Sequence, residues 1–159
     1  MDSDRAPGGA VDATGTPVSA RHGDLERLLA YWRVKCNGRD FPKRADVDPI
    51  DLWFMLDRIA LTEIHDGDKR RHRLRVVGSW WTRLLGFDPT GLWLEDWPTP
   101  GQLQLTTSAY AAVIALRRPM LASRDAWVDE RKLSYEIMLL PMSEDGKRIS
   151  MIMTGIGPR

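Results

Sequence analysis

The chain of 159 residues has one cysteine, no excess of charge of either sign and no long apolar run. A single cysteine, Cys36, excludes an internal disulfide and a cysteine-rich zinc site. Because 23 Lys and Arg nearly balance 22 Asp and Glu, no overall field attracts nucleic acid or an anionic membrane, and we expect neither as a partner. With no signal-peptide pattern and no membrane-length apolar span, we expect one domain in the cytoplasm.

The patterns that mark catalytic and metal sites are also missing. His22, His65 and His72 are dispersed along the chain and show no metal-ligand spacing. No serine lies in a nucleophile-elbow context, and no glycine-rich phosphate loop occurs. We therefore expect a protein that is not an enzyme and that holds no metal.

The N-terminal part of the chain predicts a tail followed by a helix. Residues 1–20 are rich in Gly, Pro, Ala, Thr and Asp, and this composition predicts disorder. An amphipathic helix is then predicted, with Asp24 as its N-cap and Asn37-Gly38 as a left-handed stop. Its apolar stripe consists of Leu25, Leu28, Leu29 and Trp32. Such a stripe must be buried on the chain's own sheet, on a partner or on a second copy.

The rest of the chain alternates between helical and strand patterns. Asp48-Pro49 predicts the cap and the first position of a short second helix. Two strands, a short helix, a longer helix and three strands are predicted next, over 59–64, 72–77, 79–86, 102–117, 120–129, 133–142 and 148–156. This order predicts an α+β domain, in which helices cover one face of a five-stranded antiparallel sheet and the amphipathic helix precedes it. Residues 24–57 would form the N-terminal helices and linker, and residues 58–156 the core.

One stretch of the chain resembles a known family. Tyr31-Trp32, followed by Gly-Arg-x-x-Pro-x-Arg-x-Asp-x-x-Pro over residues 38–49, resembles the opening of a group of small stand-alone bacterial PAS proteins, found mainly in alphaproteobacteria. Residues 72–78 are similar to that group's Arg-rich second strand, and residues 85–91 to its helix-to-loop segment. The resemblance covers roughly residues 25–156. It implies a PAS fold and a sensory or protein-interaction module.

Three functions are open at this point. The first is a single-domain PAS regulatory module that acts through protein contacts, as a homodimer and with an unidentified protein partner. In PAS proteins such flanking helices commonly mediate dimers, so the resemblance makes the stripe of Leu25, Leu28, Leu29 and Trp32 the candidate dimer surface. The second is a small-molecule receptor that binds an apolar or planar ligand in the PAS cavity. The third is a scaffold without a ligand.

Seven tryptophans make a ligand cavity a specific hypothesis. The candidate lining residues are Trp80, Trp81, Trp93, Trp97, Tyr110, Val113, Ile137, Leu139, Met151 and Met153. The alternative is that these side chains simply fill the core, because a small domain with three phenylalanines needs other large apolar groups. The strand members of the set depend on register, since a shift of one residue exchanges them for their neighbours.

Charged residues offer two further candidates. Arg39 and Arg44 lie near Asp46 and Asp48, and we expect them to form a structural latch between the first two helices, with an anion site as the alternative. A dense basic run comprises Lys69, Arg70, Arg71, His72, Arg73 and Arg75. On a hairpin this run is either an ordinary solvated surface or a surface for an acidic partner.

The cofactors of PAS proteins do not match this sequence. Haem requires an axial ligand, typically His, that faces the cavity, and the predicted helix over 102–117 contains none. Flavin photochemistry in related domains uses a cysteine in an Asn-Cys-Arg type helix, whereas Cys36 lies in the N-terminal helix. We therefore expect neither haem nor flavin, and we interpret Cys36 as a small buried apolar residue.

Overall fold

The computed structural model describes residues 9–97 and 100–159. Its helices and strands are α1 (Gly23–Cys36), β1 (Ile59–His65), β2 (Arg71–Val77), α2 (Ser79–Leu85), α3 (Pro100–Leu116), β3 (Met120–Val128), β4 (Arg131–Met142) and β5 (Met151–Pro158). Short 3-10 turns lie at Arg44–Asp46, Pro49–Leu52, Leu56–Arg58 and Leu94–Asp96. Pro119 follows α3 and prevents its continuation, as the sequence predicts.

The five strands form one antiparallel sheet in the order β2-β1-β5-β4-β3, which confirms the predicted α+β class and sheet. The central strand, β5, is buried on both faces, since Ile152 and Met153 are both 0% exposed. Adjacent residues of a strand point to opposite faces. Both faces of the sheet therefore need a cover, and α1 supplies one while α2, α3 and the segment 87–97 supply the other.

Helix α1 packs on the chain's own sheet. Gly155 on β5 leaves the room for it, because a Cβ there would lie 2.5 Å from Leu28 Cδ2. The predicted stripe is buried in full, with Leu25, Leu28, Leu29 and Trp32 at 0–4% exposure. Trp32 also donates from Nε1 to the carbonyl oxygen of Pro141, at 2.9 Å. The prediction that this stripe forms a dimer surface is therefore corrected, since the fold leaves none of the four side chains exposed to a second copy.

The caps of α1 follow the prediction at one end only. Asn37 ends the helix with φ 49°, as expected for the Asn-Gly stop. At the other end the N-cap is His22, whose Nδ1 accepts a hydrogen bond from the backbone N–H of Asp24. Asp24 instead pairs with Arg58, the last residue of a 3-10 turn. This ion pair joins α1 to the segment that leads into β1.

The predicted second helix is replaced by 3-10 turns. Asp48 caps the first of them as expected, since its Oδ1 accepts from the backbone N–H of Ile50. The segment then buries Leu52 and Met55 but leaves Trp53 71% exposed. Only two side chains of this short segment, Leu52 and Met55, are fully buried. This favours 3-10 turns over a continuous α-helix, because an amphipathic α-helix buries a longer apolar stripe.

Residues 9–20 differ from the expected disordered tail. Val11 is fully buried, and it bonds to the start of β3 through its N–H to Pro119 and through its carbonyl from Leu121. Asp12 closes the adjacent turn, because its carboxylate accepts from the backbone N–H groups of Thr14 and Thr16. Local hydrogen bonds and one buried valine thus order a segment whose composition is poor in apolar residues. Residues 1–8 lie outside the described part of the chain.

Candidate ligand cavity

A cavity of about 190 Å³ lies between α2, α3, the segment 87–97 and the sheet. The sheet side of its wall consists of Ala60, Leu74, Val77, Arg124, Ala126, Tyr135, Ile137, Leu139, Thr154 and Ile156. The covering side consists of Trp81, Leu84, Leu85, Pro89, Leu94, Trp97, Leu103, Leu105, Thr106, Ala109 and Tyr110. Most of these side chains are apolar. The cavity is therefore suited to an apolar group with a few polar contacts.

Five of the ten predicted cavity residues line it: Trp81, Trp97, Tyr110, Ile137 and Leu139. On β5 the prediction is off by one residue, since Thr154 and Ile156 face the cavity. Met153 is fully buried and lines a groove on the opposite face of the sheet, and Met151 points to that same face. Both faces of β5 are apolar, so the alternation in the sequence carries no sign of which set faces the cavity.

The other three predicted residues pack elsewhere. Trp80 makes edge contacts with Trp81 and with Tyr135, at centroid distances of 5.6 and 5.5 Å. Val113 is a fully buried core residue of α3. Trp93 lies beside the outer hairpin, where its ring meets His65 and the guanidinium of Arg71. Trp80 thus supports the cavity wall from behind, whereas Trp93 belongs to a different surface.

A group of hydroxyls forms the polar part of the interior. The Tyr110 hydroxyl lies 2.9 Å from the Thr62 hydroxyl, and burial raises the pKa of Tyr110, so this phenol is neutral at physiological pH. Thr154 lies close by and lines the cavity at 3% exposure. Its hydroxyl meets hydrogen-bond geometry with no described group. Its only neighbour of this kind in the described chain is the Tyr110 hydroxyl, whose pKa the contact lowers against the effect of burial, so the Thr154 oxygen is incompletely paired at the inner end of the cavity.

Arg124 and Tyr135 mark the outer end of the cavity. They are cross-strand neighbours on β3 and β4, and Arg124 is the one charged side chain among the described lining residues. Burial raises the pKa of Tyr135, and the positive charge of Arg124 opposes that rise. The hairpin of β3 and β4 extends beyond β5, which pairs with β4 only from Tyr135 onward. This end of the cavity is consequently the one nearest to solvent.

His72 and Glu95 hold the covering segment on the sheet. His72 Nδ1 lies 2.6 Å from Glu95 Oε1, and the backbone N–H of His72 donates to both carboxylate oxygens. The His72 ring is 5% exposed and packs 5.3 Å from the ring of Tyr110. The sequence placed His72 in the basic surface run, because its neighbours are arginines. Its inward position in the alternation, shared with the apolar Leu74, was the signal that could have identified it.

The remaining basic run lies on the outer hairpin and its partners are local. Arg70 pairs with Asp66 at 3.1 Å, and Arg71 with Asp96 at 3.6 Å. The Arg71 guanidinium also lies 4.4 Å from the centre of the Trp93 ring. The sequence offered no aromatic residue within this run, and the structure brings Trp93 to it from the covering segment. The role of the run as an acidic-partner surface stays a prediction.

The predicted latch is formed through part of its residues. Arg39 pairs with Asp46 and also donates to backbone carbonyls at the end of α1. The pKa of Asp46 lies below its usual value, mainly because the backbone N–H of Lys43 donates to the carboxylate and secondly because of the Arg39 guanidinium. Arg44 contributes its backbone N–H, which donates to Glu144. Asp48 contributes the cap described above, and its own N–H donates to the Tyr31 hydroxyl. These contacts orient the linker after α1, and the one from Arg44 also ties the linker to the residues that follow β4.

The cavity is small in comparison with cofactor pockets. Ordinary small-molecule pockets occupy about 300–1,000 Å³, so a volume of about 190 Å³ fits one ring and not a macrocycle. Cys36 is buried, and burial raises the pKa of its thiol to about 11. The expectation of no haem and no flavin stays a prediction. Within residues 9–97 and 100–159, no cluster of His, Cys, Asp and Glu has the geometry of a metal site.

Comparison with known proteins places the chain in a family. A family model described as PAS domain matches residues 20–156. Among solved structures, the chain is similar to the structure of the PAS domain from Bordetella pertussis BvgS, with 14% identity, a TM-score of 0.44, and 64% of this chain and 74% of that chain covered. No curated protein matches. Within the described residues, no helix has the length and apolarity needed to cross a membrane. Since the family model spans most of its length, the chain belongs to the PAS domain family.

Proposed function

We propose that this PAS domain is a regulatory module whose cavity receives a small apolar or planar molecule. The observation that carries the proposal is the cavity itself, a space of about 190 Å³ with apolar walls and few polar groups. A dry apolar cavity of about 150 Å³ admits benzene. The cavity here therefore has room for one ring with small substituents.

The structure also suggests how occupancy would reach a protein partner. Leu105 lines the cavity and is 51% exposed, so one side chain borders both the ligand space and the surface. Phe87 and Leu92, at 42% and 41% exposure, lie on the segment that covers the cavity. A ligand that moves α3 or this segment would change the exposed apolar surface. Regulation through protein contacts, the first function inferred from the sequence, is thus compatible with a receptor role.

A pair of alanines on α3 allows a direct test of the binding proposal. Ala109 lines the cavity and is 8% exposed, whereas Ala111 on the same helix is exposed. Ala109→Leu would fill part of the cavity, and Ala111→Leu serves as the matched control. Neutral single-ring compounds such as toluene and phenol should raise the Tm of the wild-type chain and of Ala111→Leu, because a ligand that binds only the folded state stabilises it.

The same compounds should leave the Tm of Ala109→Leu nearly unchanged. Calorimetric titration would confirm that any shift reports binding. If neither compound binds the wild-type chain, or if Ala109→Leu binds as well as Ala111→Leu, the cavity is not the receptor site.

Three finer expectations also remain proposals. We propose that the chain belongs to the small alphaproteobacterial PAS group, that it is cytoplasmic, and that it forms a homodimer. Because α1 buries its stripe internally, the dimer would have to use other residues. Light scattering over a range of protein concentrations tests this proposal, and a monomer mass at the highest concentration would refute it.

A further inference from the structure

We infer that the ligand is a small carboxylic acid with a single-ring body, held with its carboxylate at Arg124 and its ring in the apolar part of the cavity. This inference rests on the proposed function and names the chemical class of the ligand. It is carried by the state of three polar side chains that line the cavity: Arg124, Tyr135 and Thr154.

The Arg124 guanidinium has no acidic partner within the described part of the chain. To the described residues, its side chain donates from Nη1 to the carbonyl oxygen of Ser123, at 3.1 Å. The adjacent acid, Asp125, points to the opposite face of the sheet and pairs with Lys132 at 3.4 Å. A guanidinium carries five N–H donors in a planar fork that matches a carboxylate. Arg124 therefore retains the donors needed for a two-pronged contact.

Tyr135 offers a second donor at the same place. It lies directly across the ladder from Arg124, and cross-strand neighbours have Cβ atoms about 4.5–5.5 Å apart. Its hydroxyl makes no hydrogen bond to a described residue, and the edge contact with Trp80 holds the ring in place. A guanidinium and a phenol thus lie side by side at the mouth of an apolar space, where they are arranged to receive one anionic head group.

Thr154 defines the inner limit of the ligand. Tyr135 is paired with Pro158, four residues beyond Thr154 on β5, which corresponds to about 13 Å along the strand. One ring with polar substituents at opposite ends, hydrogen-bonded at each end, covers a separation of this order. The buried Thr154 hydroxyl, which reaches full hydrogen-bond geometry with no described group, would then meet a polar group on the far side of the ring. A hydroxyl placed opposite the carboxylate satisfies both ends.

Four matched compounds test the assignment: benzoate, 4-hydroxybenzoate, and the neutral amides benzamide and 4-hydroxybenzamide. Calorimetric titration of the full chain should show that each acid binds at least tenfold more tightly than its amide, and that 4-hydroxybenzoate binds more tightly than benzoate. Arg124→Gln should remove the preference for the acids while leaving amide binding unchanged. Arg124→Lys should retain part of it, because lysine keeps the charge and loses the fork.

Two further variants complete the experiment. Thr154→Val should abolish the advantage of the hydroxyl compounds and keep the preference for acids. Arg131→Gln removes the same formal charge from the same hairpin, outside the cavity lining, and should bind all four compounds as the wild type does. Circular dichroism melts of each variant establish that it is folded before its binding is compared.

The possible failures are distinguishable. Equal binding of acids and amides to the wild-type chain, or unchanged benzoate binding by Arg124→Gln, overturns the carboxylate assignment and leaves the receptor proposal standing. Binding of toluene or phenol without binding of benzoate also overturns the carboxylate assignment alone. If none of the acids, amides or neutral compounds binds, the carboxylate assignment and the receptor proposal both fail.

Discussion

Replacing Leu28 by alanine would open a void between α1 and the sheet. The Leu28 side chain is 0% exposed and sits over Gly155, where the absence of a Cβ lets the helix approach the strand. Leu→Ala at such fully buried sites costs about 2–5 kcal/mol, in proportion to how little the surroundings collapse. For a chain of this size each kcal/mol lowers the Tm by roughly 2–4 °C. A loss of this size is a large part of a total stability of about 5–15 kcal/mol.

The measurement is urea unfolding followed by tryptophan fluorescence, at two protein concentrations. Val34→Ala is the matched control, because Val34 lies on the same helix and is 73% exposed, so its truncation should change stability by less than about 0.5 kcal/mol. The loss in Leu28→Ala should be the same at both concentrations, as expected for an intramolecular contact. If Leu28→Ala behaves like Val34→Ala, α1 is not part of the core. A wild-type midpoint that rises with concentration, and no longer does so in Leu28→Ala, would place the stripe between two copies.

Three further predictions concern the backbone, the thiol and pH. Gly78→Ala should destabilise the protein by about 3 kcal/mol, because the new Cβ would lie 2.2 Å from the carbonyl oxygen of Asp57. Gly101→Ala, in open space on α3, should instead stabilise it by about 0.5–1 kcal/mol. Denaturant midpoints of the two variants that move in the same direction would contradict this prediction. Cys36, with a pKa of about 11, should react slowly with iodoacetamide at pH 8 until urea unfolds the protein, and equal rates with and without urea would show that the thiol is accessible. Burial alone would raise the pKa of Glu95, but its hydrogen bonds with His72 outweigh burial and lower the pKa below 4.5. The stability that this pair contributes should therefore be lost as the pH falls from about 4.5 through the pKa of the folded state. The unfolding free energy of Glu95→Gln should accordingly depend less on pH between pH 6 and 3 than that of the wild type.

Local structure was the part most open to prediction. The spacing of the α1 stripe, the Asn37 stop and the proline after α3 act through contacts within a few residues, so they operate in the chain whatever surrounds it. The N-cap of α1 was missed because Asp24 is drawn away by Arg58, which is far along the chain. The buried pair of His72 and Glu95 was missed for the same reason, since each residue alone is typical of a surface.

The sequence by itself determined α1, α2, α3 and the five strands of one antiparallel sheet, but not the 3-10 turns before β1 or the order of residues 9–20. Only the tertiary structure decided which face of that sheet borders the cavity and where α1 goes. The physical reason lies in β5, where adjacent residues such as Met153 and Thr154 are both buried. When both faces of a strand are covered, both alternating sets are compatible with burial, and the set that meets the ligand space depends on which helices pack on which side. The apolar stripe of α1 could be buried on the chain's own sheet or on a second copy. It packs on its own sheet because Gly155, which has no Cβ, lets the helix approach the strand closely.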